Sequence, residues 1–194
     1  MNGNQKFFEQ IATSNIDHPE KYKVMREALK ILNKGLAFAP KDRNLLLTRS
    51  TILFYTHDFY DSLCDIDAVI DIERAASGEE EPNATDLLQK GRCHACLSMF
   101  KEAIEDFTKV IELDDELFDA YFYRGKCSYL IGDTSQAFLD FQKLILLQPK
   151  NPMVHAYAGN LLMTTGSYED AAKAFTNADS VQPCAFAIYQ RARC

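Results

Sequence analysis

The sequence predicts an all-α fold, a stacked array of helices, and three observations predict it. Gly91, Gly125 and Gly159 stand 34 residues apart. Ala103, Ala137 and Ala171 keep that interval, and so do Phe107, Phe141 and Phe175. Between these markers the apolar residues recur with helical spacing, interrupted by glycine and proline. A period shared by small and aromatic positions marks a repeat architecture, in which each unit buries its apolar face against its neighbours.

One unit runs from Phe118 to Asn151. Its first half, Phe118 to Ile131, has the apolar spacing of an amphipathic helix. Gly132-Asp133 ends it, because glycine takes the left-handed conformation and Asp133 or Thr134 can cap the next helix. A second apolar stripe follows through Ala137, Phe138, Phe141, Leu144 and Ile145. Pro149 stops it, since proline lacks the backbone donor and clashes with the preceding turn. Gly125 and Ala137 are the small residues that let the two helices approach, with Phe141 beside them.

The same frame fits residues 84–117, with Ser98-Met99 at the turn, and residues 152–185, with Gly159, Gly166, Tyr168, Ala171, Phe175 and Pro183. A weaker unit spans residues 43–76, where Ser50 replaces the glycine, His57-Asp58-Phe59 marks the turn, and Ser62, Ile66 and Val69 carry the second helix. Residues 1–42 form a degenerate half-repeat or cap, in register only at Ala28, Leu32, Gly35 and Pro40. Residues 77–83, SGEEEPN, read as an inserted acidic loop, and residues 186–194 as a C-terminal helix that is a partial repeat or cap. Phe186, Ile188 and Tyr189 make that last segment apolar. It is expected to pack on the last repeat, to mediate self-association, or to continue into a longer protein.

Composition narrows the function. The 194 residues carry a formal net charge of −7, which argues against a nucleic-acid backbone as the main partner. No apolar run reaches the roughly 18 residues that span a bilayer, and Met1 to Gln10 lack the pattern of a signal peptide. Six cysteines with no export signal read as reduced thiols, and a cytoplasmic location is expected.

These residues resemble tetratricopeptide repeats. The family pattern is a large residue, a small glycine, an aromatic at the turn, a small alanine, an aromatic and a closing proline. Tyr121, Gly125, Gly132, Ala137, Phe141 and Pro149 match it in one unit. The resemblance covers residues 84–185 well, 43–76 fairly and the start weakly. It implies a right-handed superhelical solenoid of antiparallel helix pairs, whose concave groove is lined by the first helix of each unit.

Carried onto this chain, the groove positions are Asn44, Leu47, Thr51 and Phe54; Thr85, Leu88 and Arg92; Asp119, Phe122, Lys126 and Tyr129; and Met153, Ala156, Asn160 and Met163. Phe122 and Lys126, like Leu88 and Arg92, are four residues apart and share a helix face. Aromatic and apolar groups beside two cations suit a peptide with a hydrophobic anchor and an acidic group. Lone surface charges are common, and Arg92 and Lys126 could equally do no more than solvate the groove.

Two sharper family roles fail on the residues. The clamp of lysine, asparagine and arginine with which some members hold a chaperone's C-terminal carboxylate would fall on Leu88, Arg92, Tyr123, Met153 and Tyr157, or on Leu47, Thr51, Gln89, Asp119 and Tyr123. Only Arg92 is basic. The asparagine ladder of the sugar-transferring members would fall on Thr48, Gln89, Tyr123 and Tyr157, none of them asparagine.

Cys93-His94-Ala95-Cys96 supplies two of the four donors zinc needs, so neither a metal nor another cofactor is expected. Cys93 and Cys127 occupy the same repeat position and read as small buried hydrophobes. His57 and His155 have no carboxylate or serine partner at a telling spacing, and no glycine-rich phosphate loop occurs. The expected function is a non-enzymatic adaptor that binds a partner peptide or helix along the groove. The alternative is the regulatory or targeting segment of a longer enzyme or assembly.

Overall fold

The computed structural model describes residues 18–77, 82–181 and 190–192. They form nine helices and no strand: α1 (His18–Phe38), α2 (Arg43–Tyr55), α3 (Phe59–Ser77), α4 (Ala84–Cys96), α5 (Phe100–Leu113), α6 (Phe118–Ile131), α7 (Thr134–Leu147), α8 (Pro152–Thr164) and α9 (Tyr168–Val181). The all-α expectation is borne out. The chain divides into two compact units, residues 1–99 with α1–α4 and residues 100–194 with α5–α9. The start of the degenerate half-repeat, Glu79 to Glu81, and Phe186, Ile188 and Tyr189 lie outside the described residues.

One turn is built four times. The amide of Asp58 donates to Leu53, Met99 to His94, Asp133 to Ser128 and Ser167 to Leu162, each at 2.9 Å. The residue before each donor has a positive φ: His57 at 69°, Ser98 at 61°, Gly132 at 86° and Gly166 at 77°. A left-handed residue that returns the chain to the last helical carbonyls is the usual way to close a helix end. The turn positions read in the sequence are therefore the same structural position, whether or not glycine occupies them.

Helix starts are capped by short polar side chains. Asp42 accepts from the amides of Asn44 and Leu45 at 2.9 and 3.0 Å, Asn83 from Asp86 at 3.0 Å, and Asn151 from Met153 at 3.1 Å. Of the two residues offered by the sequence, Asp133 caps α7, accepting from Gln136 at 3.0 Å. Each bond satisfies an otherwise orphaned amide, and its loss typically costs about 1 kcal/mol.

The small residues sit where helices meet. A Cβ on Gly159 would lie 2.7 Å from the Phe175 ring, and one on Gly125 would lie 3.1 Å from Cβ of Asp140 and 3.4 Å from the Phe141 ring. Phe141 and Phe175 are fully buried. In the weaker unit the contact is polar instead. Ser50 and Ser62, both inaccessible, place their hydroxyls 3.0 Å apart, and Ser62 also donates to the Ser50 carbonyl at 2.9 Å. Serine satisfies the demand for a small residue there and adds hydrogen bonds that keep its buried hydroxyl paired.

Arg–Asp pairs tie first helices to second helices. Arg49 on α2 holds Asp65 on α3 through Nε–Oδ2 at 2.7 Å and Nη2–Oδ1 at 2.6 Å, while its Nη1 reaches Asn33 on α1 at 2.8 Å. Arg124 and Asp140 repeat this arrangement between α6 and α7. The core of the second unit gathers Tyr121, Phe141, Leu144, Val154 and Leu161, and that of the first includes Leu36, Leu46 and Val69.

Candidate partner-binding surface

In the second unit, α6 and α8 bring Phe122, Lys126 and Tyr157 together. The Lys126 ammonium lies 5.5 Å from the Phe122 ring centroid and 5.8 Å from that of Tyr157. The two rings meet edge to face at 5.3 Å. Phe118 stacks on Phe122 at 6.0 Å, and Phe141 stacks on Tyr157 at 5.7 Å, so both rings are fixed from behind. Aromatic faces attract a cation through their quadrupole, and here two act on one ammonium. Lys126 is half-buried and makes no ion pair or hydrogen bond with any described residue. Its donors therefore remain available to an incoming acceptor.

Around this centre, Tyr129 is exposed, Asn160 and Met163 are half-buried, Met153 and Asp119 are exposed, and Ala156 is half-buried. The i, i+4 reading of Phe122 and Lys126 holds. The second ring, Tyr157, entered the sequence reading only at the clamp and ladder positions and not among the expected partner-binding residues. Its signal was there: Tyr123 and Tyr157 are 34 residues apart, at the same repeat position.

In the first unit, α2 and α4 present Leu47, Thr51, Phe54, Leu88 and Arg92. The Arg92 guanidinium lies 4.5 Å from the centroid of the Phe54 ring, and its Nη1 donates to Gln89 Oε1 at 3.3 Å. Phe54 is braced by Phe59 at 5.4 Å and by Tyr55 at 5.8 Å, both edge to face. Thr51 offers little surface. It is buried, and its hydroxyl donates to the Leu47 carbonyl at 2.9 Å. Leu47 is half-buried against the Leu36–Leu46–Val69 cluster. Leu88 is half-buried, Asn44 exposed, and Thr85 exposed with its hydroxyl donated to Asn83 at 2.6 Å.

The cysteines separate by environment. Cys93 is inaccessible, its sulfur 3.3 Å from the Ser62 hydroxyl, and burial pushes its thiol up to about 11. A thiol held that high carries almost no thiolate at neutral pH, and thiolate is the nucleophile and the metal ligand. Cys127 is also buried, whereas Cys64 and Cys96 are exposed. Among the described residues no group of three or more His, Cys, Asp or Glu could hold a metal ion, and no helix is long and apolar enough to cross a membrane. His155 is buried with a ring nitrogen 2.9 Å from the Pro149 carbonyl, and His57 packs edge to face on Phe59 at the turn.

No family model matches the sequence. Among curated proteins, the peptidyl-prolyl cis-trans isomerase FKBP4 of Rattus norvegicus is 30% identical over 116 residues, 56% of this chain and 25% of that protein. A DnaJ homolog subfamily C member 3 homolog of Dictyostelium discoideum is 27% identical over 140 residues, 66% of this chain and 27% of that protein. The chain thus spans about a quarter of the length of the curated relatives it matches.

Solved structures match across nearly the whole chain. MamA (residues 41 to end) from Desulfovibrio magneticus RS-1 superposes with a TM-score of 0.74 at 17% identity, covering 94% of this chain and 97% of that one. YrrB, described as a TPR protein with an unusual peptide-binding site, gives 0.74 at 15% identity, covering 98% of both. The C-terminal part of a TPR repeat-containing protein from Cytophaga hutchinsonii gives 0.77 at 17% identity, covering 97% of this chain and 69% of that one. Identity this low carries the fold and nothing finer. The repeat period, the recurring turn and these superpositions agree that the chain has the fold of the tetratricopeptide-repeat proteins.

Proposed function

We propose that this protein is a non-enzymatic adaptor that binds a partner peptide carrying a hydrophobic anchor next to an acidic group. The observation that carries the reading is the Lys126 ammonium, set over two braced aromatic rings with no carboxylate of its own among the described residues. An incoming carboxylate would meet a positive charge whose donors are unspent, beside ring surface that rewards an apolar neighbour. Arg92 over Phe54 offers a second cation–aromatic surface in the other unit. Similarity to a fold that includes a protein described as having a peptide-binding site supports the same reading.

The test is affinity capture with the wild-type chain beside an Arg92→Glu, Lys126→Glu variant, read by mass spectrometry. Circular dichroism and the melting temperature control for folding. The reading expects partners that the wild type captures and the folded variant loses. Partners retained equally by both would refute binding at these surfaces.

A further inference from the structure

The start of α4 carries a charge where the repeat keeps apolar residues. Asp86 is the third residue of its helix, and the same position one and two units later holds Ala120 and Val154, both inaccessible. Asp86 is buried almost as deeply, at 4% exposure. The inserted residues 77–83 end beside it. Asn83 accepts from the Asp86 amide at 3.0 Å, capping α4, and its Nδ2 donates to Asp86 Oδ2 at 2.8 Å.

Glu73, near the end of α3, shares these donors. Arg43, the first residue of α2, donates from Nε to Glu73 Oε1 and from Nη2 to Asp86 Oδ2, the latter at 3.1 Å. Asn83 Nδ2 also lies 3.4 Å from Glu73 Oε2, and Asp86 and Glu73 are within hydrogen-bonding reach of each other. Two carboxylates thus divide one guanidinium and one amide. With both ionised the cluster holds two negative charges against one positive, where burial already disfavours charge. Neighbouring charges are spent elsewhere: Lys90, one turn further along α4, pairs with Asp67 on α3 at 2.7 Å, and Arg74 pairs with Asp71 at 3.3 Å. The positive end of the α4 dipole favours a negative charge, but burial and the Glu73 charge outweigh it and push the Asp86 carboxyl up to about 6.

We infer that the Arg43–Glu73–Asp86 cluster is a proton-operated clasp joining α2, α3 and α4. With its proton, Asp86 is neutral, donates to Glu73 and lets the start of α4 sit in a position the repeat reserves for apolar side chains. Without it, like charges face each other across the α3–α4 junction, and the first turn of α4 loosens. Arg92 stands further along the same helix, over Phe54 of α2, so acid firms the footing of that contact and neutral pH frees it. The inference does not rest on partner binding, because the clasp is read on α4 itself.

Hydrogen–deuterium exchange of the full chain tests it, read by mass spectrometry on peptides from α4 and, as a control, from α7. Rates are corrected for the intrinsic effect of pH. Between about pH 5 and about pH 7.5 the protection of α4 should fall about ten-fold, the loss set by a carboxyl that moves from 3.8 to about 6 on folding. Protection of α7 should not change. Asp86→Asn should abolish the fall and Glu73→Gln should reduce it. Carbon-13 NMR of the side-chain carboxyls gives a second reading that needs no variant: in the wild type Asp86 should titrate near 6. Wild-type protection of α4 that is independent of pH overturns the inference. So does an equal fall in α7 or in Asp86→Asn, or an Asp86 titration at the ordinary value of 3.8.

Discussion

Arg124 grips Asp140 with both arms of its guanidinium, Nε to Oδ2 at 3.0 Å and Nη2 to Oδ1 at 2.7 Å, and the carboxylate is only 1% exposed. Gln136 Nε2 donates to the same carboxylate at 3.0 Å, and Arg124 Nη1 donates to the Thr108 hydroxyl at 3.2 Å. The pair therefore joins α5, α6 and α7 within one unit. Breaking a buried pair strands a charge, so Asp140→Ala should cost about 3–5 kcal/mol in urea denaturation. Replacing both partners, as in Arg124→Met with Asp140→Leu, should cost much less. A small loss for the single variant would show that the pair bears little of the packing.

Ser98 occupies the left-handed position that Gly132 and Gly166 hold in the following turns. A Cβ there strains the backbone, whereas glycine adds freedom to the unfolded chain, and the two effects partly offset. Ser98→Gly should therefore stabilise the protein by about 0.5 kcal/mol. Gly132→Ala should destabilise it even though nothing lies within 4 Å of the new methyl, because the cost is conformational rather than steric. Paired melting curves for the two variants check the sign, and two shifts of the same sign would contradict it.

Gly159 and Phe175 leave no room for a methyl, the ring carbons lying 2.7 to 3.0 Å from where it would be. Gly159→Ala should cost about 1–3 kcal/mol through overpacking. Phe175→Leu is also destabilising, yet in its presence the Gly159→Ala penalty should shrink, because the ring that opposed the methyl is gone. A double-mutant cycle reads this directly, and strict additivity would mean that the two residues do not compete for the same space.

Asp86 titrates out of the ordinary carboxylate range. Burial first, and then the charge of Glu73, push its carboxyl up from 3.8 to about 6, against the opposing pull of Arg43 at 3.1 Å and Asn83 at 2.8 Å. Its folded value lies above its unfolded one, so the folded state binds more protons between those values. Its contribution to stability is therefore greatest at low pH and is lost as pH rises through about 6. Raising pH from about 4 to 7 should destabilise the wild type relative to Asp86→Asn. Urea midpoints of both proteins across that range test it. A difference independent of pH would place Asp86 in an ordinary environment.

The cysteines should divide under alkylation. Iodoacetamide applied to the folded protein should modify Cys64 and Cys96 while sparing Cys93 and Cys127, which are buried. Peptide mapping by mass spectrometry distinguishes the four. Labelling of Cys93 at the rate of Cys96 would show that α4 opens readily.

The helix pairs and their turns were legible in the sequence because the signals are local and repeated. Glycine at 132 and 166, the capping Asp133, and the alanine and phenylalanine at fixed offsets each act within one turn or one helix contact. Ser50 and Ser62 could be placed by register alone, although their hydrogen bond could not. The 34-residue period carries a cation and an aspartate at the Arg124 and Asp140 positions one unit earlier, as Lys90 and Asp106, and loses both in the last unit, as Ala158 and Ala174. The spacing of 16 that the Arg124–Asp140 pair shares with Arg49–Asp65 was the available signal.

The candidate surfaces were legible only in outline. Helical periodicity put Phe122 and Lys126 on one face, but Tyr157 lies on the next first helix and reaches Lys126 only through the packing of α6 against α8. Arg92 could be assigned a face, yet its placement over Phe54 depends on how α2 and α4 pack and on the rotamers they permit. Sequence by itself determined the repeat, the helix ends and which residues are small, because those follow from steric limits within a few residues of chain. Tertiary structure alone decided which charges are paired and which rings brace a cation. Those are contacts between residues distant in sequence, fixed by the approach of one helix to another rather than by spacing along either.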